Sequence, residues 1–203
     1  MQRSSNMQDT ELVTRARQGD LIAFTSMVEN YQTIVYNLCY RMLGDTHDAE
    51  DAAQETFLRA YRQMNRYDPA HSFSTWLLSI ASHYCIDQLR RRRWQWLSLE
   101  DEAPSSHPAL QLPKTPENIV IQRERDRQVR AWLNKLGPAS RQVIVLRYWH
   151  DLSHEEIAEI VGCAASAIKS RLHRARAALM RYIGPTLHRR VEKPTAQPCS
   201  MVI

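Results

Sequence analysis

Apolar residues along this chain return every three or four positions and almost nowhere every second one. From Leu21, the residues Phe24, Met27, Val28, Tyr31, Ile34, Val35, Leu38, Cys39 and Met42 keep a helical period until Gly44. At about 100° per residue these positions share one face, which predicts a long amphipathic helix. A shorter helix over residues 9–17 precedes it and stops at Gly19. After Gly44, Asp45 or Thr46 caps a third helix, with Ala49, Ala52, Ala53, Phe57, Ala60, Tyr61 and Met64 inward. The stretch NRYDPAHSFS, residues 65–74, holds turn formers and a proline and reads as a loop. A fourth helix follows, with Trp76, Leu77, Ile80, Ala81, Tyr84 and Leu89 available for a core, and it ends in the run Arg90, Arg91, Arg92, Arg93.

The period then lapses. Residues 94–116 contain Pro104, Pro108, Pro113 and Pro116 and three consecutive acids, which predicts a flexible linker. Thr115-Pro116 opens the next helix, whose inner face is Val129, Trp132, Leu133 and Leu136, and Pro138 starts another beyond Gly137. Ser153 and Glu156 form a capping box before Ile157, Ile160 and Val161. Gly162 is suited to the left-handed conformation that ends a helix. A last helix restarts at residues 164–166, with Ile168, Leu172, Ala175 and Leu179 on one stripe. With five glycines and no strand-like alternation, the fold class is all-α. Two small helical domains, 1–93 and 117–183, are joined by the linker 94–116 and followed by a disordered tail, 184–203.

Charge changes this picture for the last helix. No acidic residue occurs from Gly162 to Val191, and the chain carries a net charge of +5 with a pI near 9.2. Opposite the apolar stripe stand Ser166, Ser170, His173 and Arg174, flanked by Lys169, Arg171 and Arg176. A helix of about 11 Å diameter with short polar residues at its start and cations around it suits the DNA major groove. The plain alternative is a helical hairpin with a solvated basic face. Unbroken positive charge favours DNA.

The first domain offers two further constellations. Arg90 to Arg93, beside Trp94 and Trp96, are placed to grip phosphates, or else form a helix end favoured by the helix dipole. Tyr67, Phe73 and Trp76 border the loop where a splayed base would be held, unless they only close the core. Asp48, Asp51, Gln54 and Glu55 form an acidic face that repels DNA, so a functional role there calls for a protein partner. Its bland counterpart is a helix start, where carboxylates are favoured anyway.

Other chemistries find little support. Cys39, Cys85, Cys163 and Cys199 make no CxxC pair, so a zinc or disulfide framework is not expected and a reducing cytoplasm fits. His83 and Cys85 are two apart on a helix and point in different directions. There is no phosphate loop, no HExxH and no glycine-rich nucleotide fingerprint. We expect no catalytic site, no cofactor, no metal and no small-molecule substrate. The N-terminus lacks an apolar signal region, and no run approaches the roughly 20 residues that span a bilayer. A cytoplasmic protein without direct membrane insertion is expected.

DAEDAAQETFLRAYRQM (Asp48 to Met64), FSTWLLSIASHYCIDQLRRRR (Phe73 to Arg93) and DLSHEEIAEIVGCAASAIKSRLHRARAAL (Asp151 to Leu179) resemble the bacterial sigma-70 family, in its extracytoplasmic-function (ECF) subfamily. The resemblance covers roughly residues 8–93 and 117–183, with the motifs in the family's order. It implies region 2 and region 4 domains, core RNA polymerase and promoter DNA as partners, and an anti-sigma protein, often membrane-bound, as regulator. On it, Asp48, Asp51, Gln54 and Glu55 dock the polymerase's clamp helices. The loop with Tyr67, Phe73 and Trp76, and the helix with His83 and Arg90 to Arg93, engage the melted −10 strand. Ser166, Lys169, Ser170, Arg171, His173, Arg174 and Arg176 face the −35 duplex. Two departures stand out: His83 where the family often has Asn, and Cys163-Ala164-Ala165-Ser166-Ala167 where it commonly has Val-Pro-x-Gly-Thr. The alternative is a stand-alone helix-turn-helix regulator, which needs neither the acidic face nor the loop.

Overall fold

The computed structural model describes the backbone of residues 2–69, 71–98 and 117–191, and the side chains of 10–69, 71–92 and 124–183. No strand occurs among the described residues. Four helices, α1 (Gln2–Arg17), α2 (Leu21–Leu43), α3 (Thr46–Gln63) and α4 (Phe73–Ser98), make the first unit. The second is built from α5 (Glu117–Asn134), α6 (Pro138–Trp149), α7 (His154–Val161) and α8 (Ala165–Val191).

Local chemistry sets most boundaries. Asp20 caps α2 by accepting from the Ile22 and Ala23 amides, and Asp45 caps α3 through those of His47 and Asp48. Gly44 closes α2 at φ +82°, a conformation that a Cβ disfavours. Pro138 starts α6 at the position where a missing N–H costs nothing. Ser153 and Glu156 make the full capping box of α7.

Inside the first unit, Met27, Val35, Leu38, Cys39 and Met42 of α2 meet Ala49, Ala52 and Ala60 of α3 and Leu77, Ala81 and Cys85 of α4 in one buried core. The alanines on α3 let it approach α2 closely. One expectation needs adjustment here, and one buried residue was not foreseen. Tyr61 is exposed, with its ring edge against Phe24, while Thr56 is fully buried and hydrogen bonds to the Ala52 carbonyl. That local acceptor is what lets a hydroxyl sit in the core.

Two boundaries also move. α4 runs on to Ser98, so the linker expected from residue 94 starts inside a helix. Trp94 to Ser98 contain neither glycine nor proline, and extending an existing helix needs no new nucleus. α8 continues through Gly184 and Pro185 to Val191, where a frayed tail was expected from residue 184. A single proline removes one backbone donor, and the long helix before it supplies the nucleus for the turns beyond. Residues 99–116 and 192–203, the rest of the expected linker and tail, lie outside the described residues.

The two units do not stand apart. α6 packs on α2 and α4, and α7 on α4, and the buried core runs continuously through both. Arg141 and Gln142, polar residues of α6, are buried at this seam. Leu78 and Ser82 of α4 are buried as well.

Candidate nucleic-acid interface

α7, the turn at Gly162 and α8 form a helix-turn-helix. Ile168, Leu172 and Ala175 of α8 are fully buried against Ile157 and Ile160 of α7 and Leu146 of α6. Burying that stripe fixes the rotation of α8 and turns Ser166, Lys169, Ser170, His173, Arg174 and Arg176 outward. Arg171 is half-buried. Ser170 donates to the Ser166 carbonyl at 3.1 Å, so its hydroxyl lies along the helix. The Arg176 guanidinium lies over the Tyr148 ring at 5.5 Å, which holds it at one edge of the basic face. Six of the seven predicted recognition residues are therefore exposed on α8, Arg171 being the exception.

The first unit's loop is organised differently from the pattern alone. Tyr67 and Phe73 are buried, and their rings meet at 5.4 Å. Trp76 packs on both, at 5.2 Å and 5.5 Å, and Tyr31 adds an edge contact to Phe73. Tyr67 also donates to the His71 carbonyl at 2.6 Å. These two rings brace the loop and present no free face; only Trp76 is partly open. Trp76 lines a cleft of about 180 Å³ together with Arg66, Thr75, Ser79 and His83. Pattern reading missed Arg66, Thr75 and Ser79, although Thr75 and Ser79 stand one and three positions from Trp76 on the same helix. Glu159 and Ile160 of α7 close the cleft on one side.

The acidic face is partly neutralised. Arg92 forms an ion pair with Asp48, joining a residue of the arginine run to one of the acidic face. His47 pairs with Asp51 at 3.2 Å and Arg59 with Glu55 at 2.8 Å. Exposed pairs of this kind are worth only a few tenths of a kcal/mol, so the carboxylates remain available to a partner. Arg90 and Arg91 are exposed; the Arg93 side chain, with Trp94 and Trp96, lies outside the described residues. Gln54 borders a groove of about 400 Å³ between α2 and α3, whose other walls include Val28, Tyr36 and Phe57. Burial, then the nearby Glu50, raises the Tyr36 phenol's pKa and keeps it a hydrogen-bond donor. Period-based reading missed this groove because Gln32, Thr33 and Tyr36 fall on the polar side of α2.

His83 is exposed while Cys85 is fully buried, so they do not meet. Cys85 instead contacts Cys39, and that neighbour, with burial, pushes the Cys85 thiol well above its ordinary range. It stays protonated at neutral pH and is a poor nucleophile. Among the described residues no group of His, Cys, Asp or Glu is placed to hold a metal, and no helix is long and apolar enough to cross a membrane.

An exposed basic helix in a helix-turn-helix on one unit, and on the other an acidic face on α3 and a separate cleft of about 180 Å³ at the start of α4, are features that suit an all-helical DNA-binding protein of two parts. Comparison with known proteins makes the class specific. Residues 27–95 match the sigma-70 region 2 family, and residues 126–179 match sigma-70 region 4. The ECF RNA polymerase sigma factor SigW of Bacillus subtilis is 36% identical over 177 residues, covering 84% of this chain and 94% of that one. The ECF sigma-E factor of Escherichia coli is 34% identical over 191 residues, covering 92% and 100%. Among solved structures, CnrH in complex with the cytosolic domain of CnrY superposes with a TM-score of 0.63 at 27% identity, covering 88% of this chain and 98% of that one. The chain belongs to the sigma-70 family, in its ECF subfamily, and is an alternative sigma factor that directs transcription initiation.

Proposed function

We propose that the two units divide promoter recognition between them while α3 carries the attachment to polymerase. The observation that carries this reading is one chain presenting opposite charges on separate faces. α8 is exposed and basic along Ser166 to Arg176, whereas Asp51 and its neighbours form an acidic, grooved face on α3. DNA and an acidic face repel each other, so the second face is assigned to protein.

On this reading Arg174, His173 and Lys169 reach the −35 duplex, with Ser166 and Ser170 allowing close approach to base edges. Trp76, His83 and Arg66 line the place for an unstacked −10 base, and Arg90 and Arg91 take backbone phosphates. Tyr67 and Phe73 hold Trp76 in position. Asp48, Asp51, Gln54 and Glu55 dock core RNA polymerase. The protein acts in the cytoplasm without catalysis or cofactor of its own. An anti-sigma protein regulates it, by analogy with the RpoE–NepR complex from Bartonella quintana, whose sigma factor shares this fold.

Binding to purified core polymerase tests the assignment. Asp51→Arg with Glu55→Arg should weaken it at least tenfold, about 1.4 kcal/mol, with the helical circular dichroism unchanged. Unchanged affinity would remove the acidic face from the interface. Wild-type protein that binds duplex DNA but not polymerase would favour a stand-alone regulator.

A further inference from the structure

Asn30, Thr33, Asn37 and Arg41 recur every three or four positions along α2, so they form one polar stripe. Opposite that stripe stand Trp149 and His150 at the end of α6, and the two sides enclose a cavity of about 330 Å³. At 1.5 Å per residue the stripe runs for about 16 Å. Those dimensions suit a small metabolite better than a single ion.

One end of the cavity is chemically distinct. Arg41 Nη2 pairs with Asp126 of α5 at 3.0 Å, and its guanidinium lies over the Trp149 ring at 5.2 Å. The head group is thereby held in one place, while Arg41 Nη1 is buried without a hydrogen-bond partner. Both ring nitrogens of His150 are in the same condition. Together they are a demand for oxygen atoms, and leaving it unmet costs stability. Burial holds the imidazole neutral, with its pKa at about 4. The charged groups around it are Arg41 of α2, Asp126 of α5, and Arg147 and Asp151 on either side in the chain. An oxyanion beside the ring favours the imidazolium, which adds a second donor. Asp126 and the carbonyl end of α6 oppose a bare anion, so affinity has to come from a body as well as a charge. Asn37, Thr33 and Asn30 provide for that body. They are exposed at the rim, and carboxamides and a hydroxyl both donate to and accept from hydroxyl groups.

We propose that this cavity binds a small phosphate monoester of a polyol or sugar, its phosphate taken by Arg41 and His150 and its hydroxyls by Asn37, Thr33 and Asn30. The site shares no residue with the surfaces assigned to DNA. A basic protein adsorbs phosphates anywhere on its surface, so the test has to separate this cavity from general attraction.

The full chain, labelled with nitrogen-15, is titrated at neutral pH and constant ionic strength with glycerol 3-phosphate, ribose 5-phosphate and glucose 6-phosphate. Glycerol, ribose, glucose and inorganic phosphate serve as counterparts. At least one ester should bind one-to-one, at least tenfold more tightly than inorganic phosphate and than its own unphosphorylated counterpart. The same titration should move the His150 ring nitrogens from neutral toward protonated resonance positions. Arg41→Gln should weaken the ester at least tenfold, whereas Arg62→Gln, which removes an exposed cation of α3, should leave it unchanged. Esters that bind no more tightly than inorganic phosphate, or equally well to Arg41→Gln, overturn the proposal and reduce the effect to surface adsorption. Ester binding that leaves the His150 resonances in place overturns it too. If Arg41→Gln loses helix, Asn37→Leu at the exposed rim decides the matter: ester affinity should fall at least threefold while that for inorganic phosphate holds. Unchanged ester affinity in that variant overturns the site.

Discussion

His150, at the end of α6, has both ring nitrogens buried without a partner. Burial lowers its pKa to about 4, slightly opposed by Asp151. In the unfolded chain the imidazole titrates near its ordinary 6.5. Below that value the unfolded state takes a proton that the folded state refuses. Stability present above pH 6.5 is therefore lost as pH falls, until the folded residue itself protonates near 4. The contribution lost from this one residue between roughly pH 7 and pH 5 is about 2 kcal/mol. Urea unfolding of wild type and His150→Gln at both pH values isolates it, because other groups titrate in both proteins. The variant should lose about that much less; parallel losses would mean that the imidazole is not buried as described. Nothing in the sequence marks His150 out. Its burial comes from α2 packing over the end of α6, a contact that no local period records.

At the scale of elements, legibility follows how local each cause is. The Ser153–Glu156 box, the Gly162 turn and the stripe Ile168, Leu172 and Ala175 were readable because their partners lie within a few residues or in the adjacent helix. The exposed face of α8 follows from that stripe, so the exposure of the residues proposed for recognition was readable too. α4 was read less well. It touches α2, α3, α6 and α7, so Leu78, Ser82 and Ile86 are buried alongside Leu77 and Ala81, and no single apolar face describes it. Tyr67 and Phe73 show the same limit: an aromatic residue in a loop reads alike whether it stacks on a base or on Trp76. Arg174 belongs to the legible part and is exposed, its Nε directed at the Ser170 carbonyl 3.4 Å away. Arg174→Ala should reduce −35-dependent transcription about tenfold, the worth of one good base or phosphate contact. Affinity for core polymerase should not change. An equal fall in both measurements would move Arg174 out of the DNA interface.

For the whole molecule, the continuous core changes how the chain should unfold. Two units joined only by a linker melt independently, each with its own stability. Here the core runs from Met27 and Leu38 through Leu77 and Leu78 to Val143, Leu146 and Ile168 without a break. Gly44 adds to the coupling: a Cβ there would meet Asn134 Oδ1 at 3.1 Å, so the end of α2 fits against α5 with no room to spare. The wild-type chain should therefore unfold in one cooperative step, with α2–α4 and α6–α8 losing amide protection at the same denaturant concentration. Arg141→Ala with Gln142→Ala removes the two hydrogen bonds that side chains of α6 send to Met42 and Ser82. With net worth of about 1 kcal/mol each, and with Arg141 Nε already unpartnered, their loss should uncouple the units rather than unfold either. Hydrogen exchange followed by mass spectrometry reads the two groups of helices separately in one sample. Two separated transitions in the variant, against one in the wild type, would establish the seam as the coupling element. A single transition in both would place the coupling in the apolar contacts around Leu78 and Leu146 instead.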